Sequence, residues 1–211
     1  MQLTREQAHA LGHRNGVFAQ RFEARGDACL GEIEAAVDAA MIDFPGCAFA
    51  RLGSRSAKDT STGVLTGSQV RSGAETLRLL TNGSRRVGYD LHLALRHGLR
   101  PWLFLREWHD IAWATELRCF LREGELVGIS QYHTALSMPG PDRRRAERSR
   151  PGIERLAEAL LAALGGVSLV FDVCVDCDGH LTLIELNPWG PPTEAVLFRW
   201  DASFDGALRL V

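Results

Sequence analysis

Apolar side chains in the first fifty residues recur at near-helical spacing, with Phe18, Phe22, Leu30, Ile33 and Val37 marking the repeat. Thr4 followed by Gln7 forms a capping box that opens this helical region. A short apolar stretch, Cys47 to Leu52, then runs into Gly53–Gly63, a Gly/Ser/Thr-rich segment that reads as a flexible loop. Ser72 and Glu75 make a second capping box, for a helix that stops at Asn82-Gly83, and a further helix is expected over Val87 to Arg96.

Beyond Pro101 the period changes to two. Leu103 to Trp108 reads as a strand, and Glu116–Arg122 with Leu126–Gln131 reads as a hairpin about Glu123-Gly124. Pro151 suits the first turn of a helix whose apolar face holds Ile153, Leu156, Leu160 and Leu164 and which ends at Gly165. The basic run Arg143–Arg150, with Glu147 inside it, reads as a solvated loop rather than a binding patch. Leu169–Val175 and His180–Asn187 form a second hairpin around Asp178-Gly179. Helices first and antiparallel hairpins later make an α+β chain.

Composition narrows the function. The chain has 211 residues, 24 basic against 26 acidic side chains and a net charge of -2, which argues against nucleic acid as a partner. No apolar run reaches the roughly 18 residues of a membrane span. Five cysteines at irregular spacing are no disulfide framework, so a cytoplasmic location is expected. Cys174 and Cys177 lack a second pair for zinc, and His9 and His13 lack the glutamate of a metalloprotease helix. Only one of the basic residues is a lysine, Lys58, inside the 53–63 loop with Arg51 and Arg55 upstream. A Gly-rich loop carrying one lysine is either a mobile loop or a cover for phosphates; it is not a P-loop.

The second hairpin carries the sharpest chemistry. A two-residue turn at Asp178-Gly179 sets Cys177 opposite His180 and, counting outward, Asp172 opposite Glu185. Asn187 shares the Glu185 face. Two carboxylates about 5 Å apart repel by roughly 3 kcal/mol at an effective dielectric of ~20. A divalent cation would relieve that repulsion, and two carboxylates with an amide oxygen suit magnesium. In the first hairpin the same counting sets Gln131 opposite Glu116, with Glu116, Arg118 and Phe120 on one face and Leu117, Cys119 and Leu121 toward the core. Arg118 beside Glu116 is either a structural ion pair or a phosphate ligand.

The segments RLGSRSAKD, FLREW, ELRCF with GISQ, VFDV and LIELNPWG, in that order, resemble the cell division cycle protein 123 family, a divergent branch of the ATP-grasp fold. The resemblance runs from about Ala50 to Trp200. It implies a two-lobed ATP-grasp-like unit over residues 1–211, with lobes of about 1–103 and 104–211, a phosphate loop at 53–63 and ATP between the lobes. It places Asp172, Glu185 and Asn187 on Mg2+, Lys58 and Arg51 on phosphates, and Arg106, Glu107 and Trp108 beside the adenine. Glu116 and Arg118 fall on the phosphate side, and Lys58 and Arg118 would carry any catalysis. Glu185 stands where the family usually has aspartate, and Arg51 where it usually has lysine. The resemblance admits two functions. One is an ATP-dependent ligase or phosphotransferase with a small-molecule or peptide acceptor. The other is an ATP-binding assembly chaperone with a protein client, as in the eukaryotic members.

Overall fold

The N-terminal helical pattern resolves into α1 (Arg5–Asn15) and α2 (Asp27–Ala40). Thr4 and Gln7 close their capping box reciprocally, at 2.9 and 3.1 Å, and α1 ends on a left-handed Gly16. The structure is a computed structural model that describes residues 1–211, and the chain divides into two units, Met1–His109 and Asp110–Val211.

The first unit continues with β1 (Ala48–Leu52), α3 (Ser61–Thr66), β2 (Gln69–Val70), α4 (Gly73–Thr81), α5 (Arg85–Arg96) and β3 (Leu103–Glu107). Its sheet has the order β2-β1-β3, antiparallel throughout. Strand alternation sends Ala48, Ala50 and Leu52 into a core shared with Ile33, Val37, Leu79, Leu80, Leu91 and Leu103. The opposite face carries Phe49 paired with Arg106 and Arg51 paired with Phe104. Trp102 stacks on Phe104 at 5.8 Å beyond them.

The second unit holds β4 (Glu116–Arg122), β5 (Glu125–Gln131), α6 (Gly140–Leu164), β6 (Leu169–Val175), β7 (Leu181–Pro188) and β8 (Leu208–Arg209) in a sheet of order β7-β6-β4-β5-β8. One face, with Leu117, Cys119, Leu121, Phe171 and Val173, packs on Ile153, Ala157 and Leu160 of α6. On the other, Phe120 and Val170 meet Phe198, Trp189, Trp200 and Phe204 of the C-terminal segment. Burying each such aliphatic or aromatic side chain contributes about 1.5–3 kcal/mol. A Cβ on Gly128 would lie 2.7 Å from the Phe198 ring, so only glycine lets that segment close on the sheet.

Three expectations are corrected. Pro151 lies inside α6, and it is Pro141 that sits in the first turn, so Arg143–Arg150 is helical and not a loop. The Pro151 ring removes one backbone hydrogen bond, to the carbonyl four residues back, while the apolar face continues on α6's far side. Residues 53–63 are held in place: Thr60 caps α3, and Asp59 accepts from Ser84 Oγ at 2.6 Å and Arg86 N at 3.1 Å at the start of α5. Both hairpins also carry bulges that turn-counting misses.

Candidate functional site

The β6–β7 tip is a three-residue loop, Cys177 to Gly179, with Asp176 opposite His180 and Gly179 left-handed; it is not the expected two-residue turn. The ladder therefore starts one residue out of the counted register, with Val173 opposite Leu183. A bulge at Ile184 then restores it, and Asp172 stands opposite Glu185, with Asn187 opposite Val170 on the same face. In the first hairpin Glu123-Gly124 does form a two-residue turn, both residues with positive φ. A bulge at Val127 shifts the pairs beyond it, so Gln131 faces Leu117 and not Glu116.

Across the sheet the pairings align Glu185, Asp172, Arg118 and Ser130 in one row. Asp172 is fully buried and Arg118 is 4% exposed. Arg118 donates through Nε to Asp172 Oδ1 and through Nη2 to Oδ2, both at 2.8 Å, and through Nη1 to the Glu194 carbonyl at 3.0 Å. Its guanidinium lies 4.6 Å from the Tyr132 ring centre. Burial alone would lower the Arg118 pKa, but the hydrogen bonds and charge of Asp172 raise it, so the group stays cationic. Burial also pushes the Tyr132 phenol and the Cys119 thiol up, keeping both neutral.

This arrangement answers the repulsion between the two carboxylates without a metal, because Arg118 supplies the positive charge. The expected neighbour of the arginine is Glu116; its partner is instead Asp172, and Glu116 meets His133 Nε2 at 3.1 Å. Asn187 Nδ2 lies 3.2 Å from Asp172 Oδ2 and 3.4 Å from Glu185 Oε1. The amide's positive end thus stands between the two carboxylates, where positive charge is favoured. Turned over, the same amide offers oxygen. The trio fits magnesium in the kind and number of its hard oxygen donors.

The remaining predicted residues lie in the first unit. Lys58 is exposed in the turn before α3. Arg51 donates to the carbonyls of Leu52 at 3.0 Å and Ser54 at 3.2 Å, bracing the backbone after β1. Arg106 and Glu107 belong to β3, as the expected strand over Leu103 to Trp108 has it, and Trp108 comes directly after them, 6.4 Å from Phe49. Sequence reasoning missed Tyr132, the Glu194 carbonyl and the Ser84–Asp59 anchor. Only Asp59 carried a signal, as an acid one residue after the lone lysine.

No helix is long and apolar enough to cross a membrane. The family model described as D123 matches residues 19–204. The chain is 34% identical over 105 residues to a translation initiation factor eIF2 assembly protein of Xenopus tropicalis, covering 47% of this chain and 30% of that one. It is 30% identical over 183 residues to cell division cycle protein 123 of Eremothecium gossypii, covering 81% and 50%. The chain thus spans half or less of the length of these relatives. The fold matches that of Cdc123 from Schizosaccharomyces pombe with a TM-score of 0.74 at 22% identity, over 100% of this chain and 87% of that one. With the match extending through both units, the chain belongs to the D123 family.

Proposed function

We propose that this chain is a Mg-ATP-binding assembly factor that acts on a protein client. Family membership carries the reading, since the relatives bear the name of an assembly protein and not of a ligase. In the second unit, Asp172, Glu185 and Asn187 would hold magnesium, which would screen the charge of a nucleotide's phosphates. In the first unit, Lys58 would contact phosphate, and Arg106, Glu107 and Trp108 would border the base. Arg118 serves here as a positioning residue: it holds Asp172 in one orientation so that the outer edge of the carboxylate faces Glu185 and Asn187. A ligase or phosphotransferase would instead need Arg118 to offer N–H donors to the transferred phosphoryl group. Its three hydrogen bonds to Asp172 and Glu194 favour the fixed role.

The test compares ADP formation with client capture. Purified chain given Mg-ATP and a panel of amines, thiols and carboxylates is expected to form no ADP beyond the blank. With Mg-ATP it should retain a protein partner that is lost when EDTA replaces magnesium. ADP formed in proportion to an added small acceptor would overturn the assembly reading.

A further inference from the structure

We propose that the cleft between the first turns of α6 and the tip of the β6–β7 hairpin binds the phosphate group of a small phosphorylated molecule. The cleft measures about 420 Å³ and is lined by Arg144, Arg145, Arg148 and Ser149 on one wall and by Cys177 and Asp178 on the other. That volume falls within the roughly 300–1,000 Å³ of small-molecule sites.

Charge in the cleft is unbalanced. Three arginines and one aspartate line it; with Arg145 paired to Asp142, Arg144 and Arg148 against Asp178 leave +1, in a chain whose net charge is -2. Arg144 and Arg148 are exposed and four apart on the helix, a spacing at which like charges repel. The helix pairs other arginines with acids: Arg145 with Asp142 at 3.0 Å, and Arg150 with Glu154 at 2.9 Å. Arg144 and Arg148 have no such carboxylate. Two guanidiniums left open on one helical face match the fork-like recognition of phosphate oxygens. The positive end of the 25-residue helix adds to the same field. Asp178 works against an anion, and its place across the cleft favours a ligand with a hydroxyl beyond the phosphate. None of these residues takes part in the magnesium trio or the Lys58 segment, so the proposal stands apart from the nucleotide reading.

Cys177 supplies the probe, being the exposed member of the five free cysteines. Its alkylation by neutral iodoacetamide is monitored by peptide mass spectrometry while inorganic phosphate or glycerol 3-phosphate is titrated in. Both should slow the reaction along a saturating curve, and sodium acetate at equal ionic strength should not. Half-protection at a lower concentration of glycerol 3-phosphate assigns the site to a phosphate ester; equal values assign it to free phosphate. In Arg144→Ala/Arg148→Ala, protection should weaken about tenfold or more, the low end of electrostatic focusing. Arg143→Ala, on the same helix but outside the cleft, should keep it. Both positions of the double variant are exposed; an unchanged melting temperature will verify its fold, and protection is expressed relative to each protein's own rate without phosphate, since nearby arginines affect thiolate reactivity. Protection by acetate equal to that by phosphate, or equal protection in the double variant, would overturn the site.

Discussion

Arg118 and Asp172 face each other across β4 and β6 and share two parallel hydrogen bonds of 2.8 Å, although 54 positions separate them in the chain. Both are buried, so each is the other's main source of compensation. Arg118→Ala is expected to cost about 3–5 kcal/mol, because it strands a carboxylate in the sheet. Replacing both, as Arg118→Met with Asp172→Leu, should recover most of that loss. Urea denaturation of the single and double variants checks it, and a single-variant loss below ~1 kcal/mol would remove the pair from the account.

The same pair decides how the magnesium reading should be tested. Asp172→Asn disturbs the ion pair and therefore the fold, which makes it a poor probe. Glu185 is half-buried and belongs to the edge strand β7, so Glu185→Gln isolates the metal question. Mg-ATP at 100 times its dissociation constant should stabilise the parent by ~2.7 kcal/mol. Glu185→Gln should keep its ligand-free melting temperature within a few degrees and lose most of the magnesium-dependent rise. An undiminished rise would take the metal away from Glu185.

Lys58 offers a measurement free of background. It is the one lysine in the chain, and the α-ammonium of Met1, the other amine, donates to the Leu103 carbonyl at 2.8 Å. Acylation by an N-hydroxysuccinimide ester, mapped by mass spectrometry, is expected to slow at Lys58 on saturation with Mg-ATP and to stay constant at Met1. An unchanged rate at Lys58 would place the phosphates elsewhere.

Acid should loosen the first unit through His9. This side chain is 6% exposed; its Nδ1 accepts from Glu23 N at 3.0 Å, and its buried Nε2 makes no hydrogen bond, with Glu23 Oε1 3.8 Å away. Burial lowers its pKa below the ordinary 6.5, with Glu23 pulling the other way and Arg5 and Arg25 adding to the lowering. The unfolded chain then binds more protons than the native one below that value. The contribution is therefore full above about pH 6.5 and is lost as the pH falls, by at most ~1.4 kcal/mol per unit for one proton. His92, lowered by burial and by Arg21 and Arg96, acts in the same window. Stability measured between pH 5 and 8 should fall less steeply in His9→Gln than in the parent. Identical slopes would show that His9 does not titrate differently on folding.

The strands were legible because period-two alternation and the Glu123-Gly124 turn act over a few residues. Counting reaches Asp172 opposite Glu185 from a turn that does not exist, and the bulge at Ile184 cancels the error. Without such a cancellation, Gln131 goes to the wrong partner. The Arg118–Asp172 pair was illegible because α6 intervenes between its strands, and no local rule says that β4 adjoins β6. Residues 53–63 looked loose because composition does not record that Asp59 reaches the start of α5.

The extra residue at Ile184 gives the hairpin a second use. Because the ladder is reset there, the length of the tip does not by itself fix the position of Glu185. Removing Ile184 would straighten β7 and still leave Glu185 facing Asp172, since the strand before it is already in step. A one-residue insertion or deletion in the tip could likewise be absorbed by gaining or losing a bulge. The tip, with its exposed cysteine and its side of the arginine cleft, can thus change length while the carboxylate row stays in register.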